Sequence, residues 1–370
     1  VKRVIVIGGG LAGLVSGLAL VRAGVECVVI EKKEYPFHRV CGEYISDETV
    51  PYLRSLDVYP ERFEPPRISR FMLSSVAGRR AELPLEPGGF GISRYTFDNF
   101  LYQEAKQRGV EFVLNTEAEA VAFDGSTFVV TAGGKQYTGD FVIGSFGKRS
   151  KLDHTLQRDF IQRRSPYVGV KYHIKTEHPS DLIALHNFVG GYCGMSNIED
   201  GKTTLCYLVH RDMLRKFKSI AEMEQQVLYR NPLLRDVFGN ADFLFEKPEV
   251  INEISFATKT AVEQHVFMAG DSAGMITPLC GNGMAMAIHS AKLLTDLLIR
   301  SYNGDGLSRE AIETLYTQQW RKHFATRLWL GRHVQRLFGS EAASRLAIGL
   351  AVNVPPVAGL MIKYTRGEAF

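Results

Sequence analysis

The stretch Val4 to Ile7, VIVI, runs directly into Gly8-x-Gly10-x-x-Gly13, and this junction constrains the fold more tightly than any other part of the chain. A short, unbroken apolar run closed by glycine reads as a buried strand. Leu11 to Ala23 then reads as a helix and Glu26 to Ile30 as a second strand, which together make a strand–helix–strand unit. The glycines have separate jobs. Gly8 permits the tight turn, Gly10 lets backbone approach a pyrophosphate, and Gly13 lets the helix sit close to the strand. Gly10, Ala12 and Gly13 open a helix whose free N–H groups and positive dipole end suit phosphate oxygens. Glu31 ends the second strand about twenty residues on, where a carboxylate can accept hydrogen bonds from an adenosine ribose. The unit predicts a dinucleotide cofactor and leaves FAD and NAD both open, because both use this cradle.

A second glycine turn narrows the choice. The apolar run Val266 to Ala269 enters Gly270-Asp271, and Gly281 and Gly283 precede a segment in which Ala285, Ile288, Ala291, Leu294 and Leu298 recur at helical spacing. A flavin needs a carboxylate for its ribityl hydroxyls and a helix N-terminus to stabilise negative charge at the N1/C2=O edge of the reduced ring. Asp271 and the backbone of Gly281, Gly283 and Met284 meet both needs, so FAD is the expected cofactor.

Four blocks, VIVIGGGLAGLVSGLAL...VIEK, RVCGEYIS, ISRYTFDNFLYQEAKQRGVEF and MAGDSAGMITPLCGNGMAMAI, occur in the order seen in one family. The chain resembles the FAD-dependent geranylgeranyl reductase-like proteins, within the larger fold group of para-hydroxybenzoate hydroxylase, aromatic monooxygenases and flavin halogenases. The resemblance implies an α/β fold: a Rossmann-type FAD-binding domain, an inserted antiparallel-sheet substrate domain and a C-terminal helical segment. Residues 1–60, 94–150 and 255–305 would form a discontinuous FAD-binding domain, 61–93 and 151–254 the substrate domain, and 306–370 the helical region. Arg94, at the start of a helix over Thr96 to Arg108, would reach the ribityl or phosphate region, and the backbone of Ala118 would border the adenine. Arg39 and Cys41 would line a loop against the flavin. Glu43 would face the ring or the substrate entrance, which makes it a candidate proton donor.

The chain also departs from the family. Phe146-Gly147 stands where many relatives have Asp-Gly, a pair implicated in FAD and NAD(P)H binding in the hydroxylase branch. The electron donor is therefore open between NAD(P)H and ferredoxin or a separate reductase. Around Tyr192 and Cys193, candidate lining of the substrate pocket, Gly190, Gly191 and Gly194 suggest a bulged strand or turn near a ligand. Neither the Y-x-W-x-F-P stretch of prenyl reductases nor the W-x-W-x-I-P stretch of flavin halogenases is present. The expected activity is redox chemistry on a hydrophobic isoprenoid, polyketide or lipid-like substrate, with C=C reduction ahead of hydroxylation of an aromatic or polyketide. Halogenation and a flavin carrier without catalysis rank below both.

The rest of the chain bounds these readings. RISRFMLSSVAGRRAELPL reads as a hairpin turning near Ala77-Gly78, and in SPYVGVKYHIKTEH the residues Val168, Val170, Tyr172 and Ile174 alternate with Gly169, Lys171 and His173 as in a half-buried strand. TTLCYLVH reads as another strand and Met213 to Phe238 as helices broken at Asn231-Pro232. Over 370 residues, 45% hydrophobic and 23% charged content fits a globular chain, and a net charge of +4 without basic blocks argues against a nucleic-acid partner. Five widely spaced cysteines suggest neither disulfides nor a zinc site, which fits a reducing, cytosolic setting without a metal. The opening strand leaves no export signal to expect. The longest apolar candidate for a membrane span, Leu346 to Ile362, is broken by Asn353 and Pro355-Pro356. The preceding segment mixes Lys322, Arg327, Arg332 and Arg336 with Trp320, Phe324, Trp329 and Phe338, which suits either a packed helix or peripheral membrane contact.

Overall fold

A computed structural model describes residues 3–162, 166–335, 338, 340–353, 359 and 366–370. Arg336 and Pro355-Pro356 lie outside the described residues. Two large sheets dominate. In the first, parallel strands run in the order Val266–Met268, Phe141–Gly144, Arg3–Ile7, Glu26–Ile30 and Glu111–Val113, with Val262–Glu263 antiparallel at one edge. Continuous apolar runs such as Val4 to Ile7 form such strands because both faces are covered. Helix Leu11–Arg22 covers one face and packs on helix Gly283–Tyr302, burying Leu14, Val15 and Leu18 almost completely. Each such side chain contributes about 1.5–3 kcal/mol relative to exposure. The sheet's strands come from three separate stretches of the chain, and their C-terminal ends carry Gly8, Ser145 and the turn at Gly270.

The second sheet is antiparallel over most of its width and includes Tyr167–Lys175, Thr203–His210, Gly191–Asn197, Leu182–Phe188, Arg67–Ser74 and Arg80–Gly91. Tyr44–Ser46 pairs at its far edge, so the segment 1–60 contributes to both sheets. Gly190 has φ 89° and turns one hairpin with Gly191, and the register from Gly191 to Asn197 is unbroken: the glycines here make a turn rather than a bulge. Helices Ile220–Val227 and Pro232–Asn240 pack behind the sheet, the second capped by Asn231 Oδ1, which accepts from Leu233 N.

Side-chain patterning misplaces two groups. Alternation puts Lys171 and His173 on the outward face of a half-buried strand, but both are buried, because that face meets Glu43 and its loop rather than water. In helix Arg309–Gln335, Arg327 points inward, 3.7 Å from the buried Glu48, while Trp329 is 54% exposed; the helix is not cleanly split into apolar and cationic faces.

Gly13 shows how closely the first domain is packed. A Cβ there would lie 2.1 Å from the Gly8 carbonyl oxygen and 2.7 Å from Ser145 Oγ, which itself donates to that oxygen. Because backbone must move to admit a methyl, Gly13→Ala is expected to cost about 1–3 kcal/mol. Urea unfolding checks this, and an unchanged midpoint would contradict the packing argument.

Candidate functional site

At the crevice above the parallel strands, Gly8 adopts φ 103° and its N–H donates to Ile30 O at 2.8 Å. Glu31, buried, accepts from Gly9 N at 2.8 Å and Lys33 N at 3.0 Å, so its carboxylate is fixed beside the glycine turn. Gly10 then opens helix Leu11–Arg22 with no side-chain cap, and Leu11, Ala12 and Gly13 form its first turn. Two arginines flank this end. Arg94 Nε and Nη2 donate to both oxygens of Asp98 at 2.6 and 2.7 Å, and Arg39 Nε donates to Asp98 Oδ2 at 3.0 Å. Buried Asp98 thereby orients both guanidinium groups, and Arg94 Nη2 would lie 3.8 Å from a Cβ at Gly10. Ala118 begins the strand Ala118–Phe123 in a small third sheet, two residues after Thr116, whose N–H donates to Glu31 O.

The loop between Arg39 and Tyr44 is anchored by Glu43, which is fully buried with φ 55°. Glu43 Oε1 accepts from Arg94 N at 2.8 Å and from Lys171 Nζ, and Oε2 pairs with His173 Nε2 at 2.7 Å. Burial pushes this carboxyl's pKa up, but the Lys171 charge and the His173 hydrogen bond outweigh it and hold the pKa down at about 2. Glu43 is therefore ionised near neutrality, which suits an anchor better than the proton donor expected of it. Cys41, beside it, is pushed up by burial and remains a thiol. Helix Arg94–Gln107 receives a second buried carboxylate at its start: Glu199 accepts from Ser93 N at 2.7 Å and Thr96 Oγ1 at 2.8 Å. Negative charge at a helix N-terminus is electrostatically favourable.

On the other side of the crevice, Ala12 lies against the Gly270–Ser272 turn, so the two glycine motifs meet. Burial raises the Asp271 pKa against the opposing charges of Lys259 and Arg94. Gly281 has φ 62° and a Cβ there would lie 3.5 Å from Tyr44 Cδ1. Helix Gly283–Tyr302 starts without a side-chain cap, and the Met284 side chain is buried in the core.

The antiparallel sheet turns one face toward this crevice. Register places Lys171, Cys206, Gly194 and Leu185 in one row, followed by Leu73 and Ala81. The neighbouring row holds Gly169, Leu208 and Tyr192. The face is thus charged and polar near Glu43 and apolar beyond Gly194. Tyr192 is buried on it and its oxygen accepts from Leu279 N at 2.9 Å, which ties the sheet to the loop before Gly281. Cys193 points the opposite way, into the cluster with the helices behind the sheet, so the adjacent pair does not share a pocket wall. The reason is the two-residue period of a strand.

This arrangement fits FAD. A Cβ on Gly42 would meet nothing within 4 Å, and one on Gly194 would meet only Cys206 O at 3.7 Å, so backbone borders open space on both sides of the crevice. Two uncapped helix N-termini and two oriented arginines supply the positive potential a pyrophosphate requires. No sequence motif marks Asp98, Lys171, His173 or Lys259 as part of the site. Asp98 has a signal, its i,i+4 spacing from Arg94; the other three are distant in sequence from the motifs they serve.

A family model described as "FAD binding domain" matches residues 2–328, and the chain belongs to that family. It is an FAD-dependent oxidoreductase, similar to the geranylgeranyl reductase-like branch. A digeranylgeranylglycerophospholipid reductase of Methanosarcina acetivorans is 25% identical over 339 residues, covering 86% of this chain and 80% of that protein. A tryptophan 2-halogenase of Chondromyces crocatus is 22% identical over 347 residues, covering 87% of this chain and 65% of the halogenase; the chain spans just under two thirds of that relative. The solved structure of a geranylgeranyl bacteriochlorophyll reductase-like protein of Thermoplasma acidophilum shares the fold, with TM-score 0.78, 15% identity and coverage of 100% of this chain and 97% of that one.

Glu43→Gln leaves the Lys171 ammonium buried without a counter-charge, and is expected to lower the unfolding free energy by about 3–5 kcal/mol at pH 7. The Glu43 pKa is about 2 when folded against an ordinary 4.5, so its contribution is present above pH 4.5 and fades as pH falls toward 2. Urea titrations along that range should show wild type and variant converging; parallel curves would contradict the coupling.

Proposed function

We propose that this chain reduces a carbon–carbon double bond in a hydrophobic isoprenoid-, polyketide- or lipid-like substrate. What carries this reading is the apolar half of the sheet face, Leu73, Leu83, Leu185 and Leu208 around Tyr192, which lies beside the Leu279 loop that leads to Gly281 and is covered by Ile348 of the helix Glu341–Asn353. The reductases among its relatives support the same reading. Residues 1–60, 94–150 and 255–305 act as the FAD-binding unit in this reading and the remainder up to 254 as the substrate unit. Gly8, Gly10, Ala12, Gly13, Arg39 and Arg94 hold the pyrophosphate, Glu31 and Ala118 border the adenosine, Asp271 takes the ribityl chain, and Cys41, Gly281, Gly283 and Met284 border the ring. Reduced FAD supplies a hydride equivalent.

The chain's own residues do the rest. The leucines exclude water and orient the alkene, and the second alkene carbon needs a proton. Glu43, ionised, does not hold one. Tyr192 does: its oxygen accepts from Leu279 N, a bond that opposes the rise burial gives the phenol, and its own hydrogen is left to donate. Lys171 is the one fully buried lysine among the described residues, and its ammonium is committed to Glu43 and to Arg39 O at 3.1 Å. A halogenase would want such a lysine free at the end of a tunnel. The missing Asp-Gly pair favours ferredoxin or a separate reductase over NAD(P)H as electron donor.

The exposed Leu346 and Leu350, on the helix that carries Arg345, with Arg79 and Arg80 beside the same cleft of about 440 Å³, suit peripheral contact with an anionic membrane surface. No helix among the described residues is long and apolar enough to cross a membrane.

Anaerobic incubation with a polyprenyl substrate and chemically reduced flavin should give a product two mass units heavier, and Tyr192→Phe should slow that step by roughly 10²-fold or more with FAD binding retained. An O2-dependent gain of sixteen units would instead support hydroxylation and overturn the reading. In vesicle sedimentation, Arg79→Ala/Arg80→Ala should lose binding to phosphatidylglycerol vesicles at low salt, with phosphatidylcholine vesicles bound weakly by both proteins. Equal binding of the two proteins to both lipids would remove the membrane part of the proposal.

A further inference from the structure

Lys259 lies between the strand Glu249–Ile254 and the hairpin of Val262–Glu263 with Val266–Met268, outside both glycine motifs. Its Nζ donates to Lys148 O at 2.7 Å and to Asp271 O at 2.8 Å, and sits 4.3 Å from the centroid of the Phe160 ring. Ser272 closes the same junction, donating through Oγ to Gly147 O at 3.1 Å and accepting from Gly147 N at 2.9 Å. Two side chains thus tie the Phe146 to Ser150 loop to the turn that carries Asp271. The charges match as well. Arg39 and Arg94 share Asp98, so their charge is partly spent on one carboxylate, whereas Asp271 has Lys259 as its first electrostatic partner.

An ammonium is costly to bury, because water is replaced by few acceptors. Burial accordingly lowers the Lys259 pKa to about 8, with Asp271 opposing the fall. Groups facing it from the packed elements are Asp271 on the turn, Lys148 on the loop, and Arg158 and Asp153 from the helical segment that follows. A bound FAD brings two phosphate charges into the same crevice, so a cation here offsets repulsion that the glycine motifs alone would leave.

We propose that Lys259 is a positioning residue of the flavin site, locking the Asp271 turn to the Phe146 to Ser150 loop and balancing the Asp271 carboxylate, so that FAD is bound tightly. This role rests on FAD binding alone and not on double-bond reduction, so a missing two-unit mass gain would leave it intact.

The test is titration of apoprotein with FAD, followed by flavin fluorescence between pH 6.5 and 9, for wild type, Lys259→Met and Lys259→Arg. At pH 7 Lys259→Met is expected to raise the FAD Kd about tenfold, with Lys259→Arg close to wild type. Below about pH 8 the wild-type ammonium is present, and above it the clamp loses its charge. The wild-type Kd should therefore rise across pH 8, while those of Lys259→Met and Lys259→Arg stay flat. Equal Kd values and equal pH profiles for wild type and Lys259→Met would overturn the proposal. If Lys259→Met does not fold, the comparison of wild type with Lys259→Arg decides: a wild-type Kd that is flat across pH 8 overturns it, and a rise absent from the arginine variant supports it.

Discussion

One buried carboxylate holds the two halves of this protein in register. Glu43 receives Arg94 N from the start of one helix, Lys171 from the antiparallel sheet, and His173 from the same strand. Its backbone is in the left-handed region, which a non-glycine residue adopts at a cost of order 1–3 kcal/mol when the surroundings impose it. Three hydrogen bonds to an ionised group outweigh that cost, since charge-assisted bonds are individually about twice as strong as neutral ones. The consequence is geometric. Gly42, immediately before it, is held to the sheet as well, its carbonyl oxygen accepting from Ser196 Oγ at 3.4 Å.

The charges form a pattern around that anchor. Glu43 and Glu199 both sit at the start of helix Arg94–Gln107, where the helix dipole favours negative charge, and Asp98 lies one turn further along. Asp98 orients Arg94 and the half-buried Arg39, and Glu43 holds Lys171 in the interior. The guanidinium edges so oriented flank the uncapped N-terminus at Gly10, where an anion gains from both dipole and charge.

Much of the fold is legible in the sequence because its signals are local. Gly8, Gly10, Gly13 and Glu31 lie within one strand–helix–strand unit, and each has a steric or hydrogen-bonding reason to be where it is. The turn at Gly78, the strand Thr203–His210 and the helix break at Asn231-Pro232 are legible for the same reason. Lys171 and His173 are not. Alternation assigns a strand's polar residues to water, and only the approach of the Glu43 loop, invisible to periodicity, makes that face an interior. Lys259 is illegible for a related reason: it holds Lys148 and Asp271 through backbone carbonyls, which carry no residue identity. Tyr192 and Cys193 are neighbours in the chain, and a strand's two-residue period sends them to opposite faces.

The crevice also has a direction. Along the row from Lys171 through Cys206 and Gly194 to Leu185 and Leu73, the sheet passes from ionised to apolar with the least side-chain bulk at Gly194. A flat ring held by the glycine turns would meet that gap, with polar groups toward one end and leucines toward the other. The proposed carbon–carbon reduction would use this asymmetry, with a dry wall for the alkene and a proton donor that is protonated near neutrality. Tyr192 stands on the apolar side with its oxygen on Leu279 N, and the Glu43–Lys171 pair is on the polar side, where its charges are spent on each other. Because the fold is shared with halogenases, what distinguishes one activity from another in such a crevice is which groups stay uncommitted. Here the buried lysine donates to Glu43 and Arg39 O, whereas the Tyr192 oxygen accepts from Leu279 N.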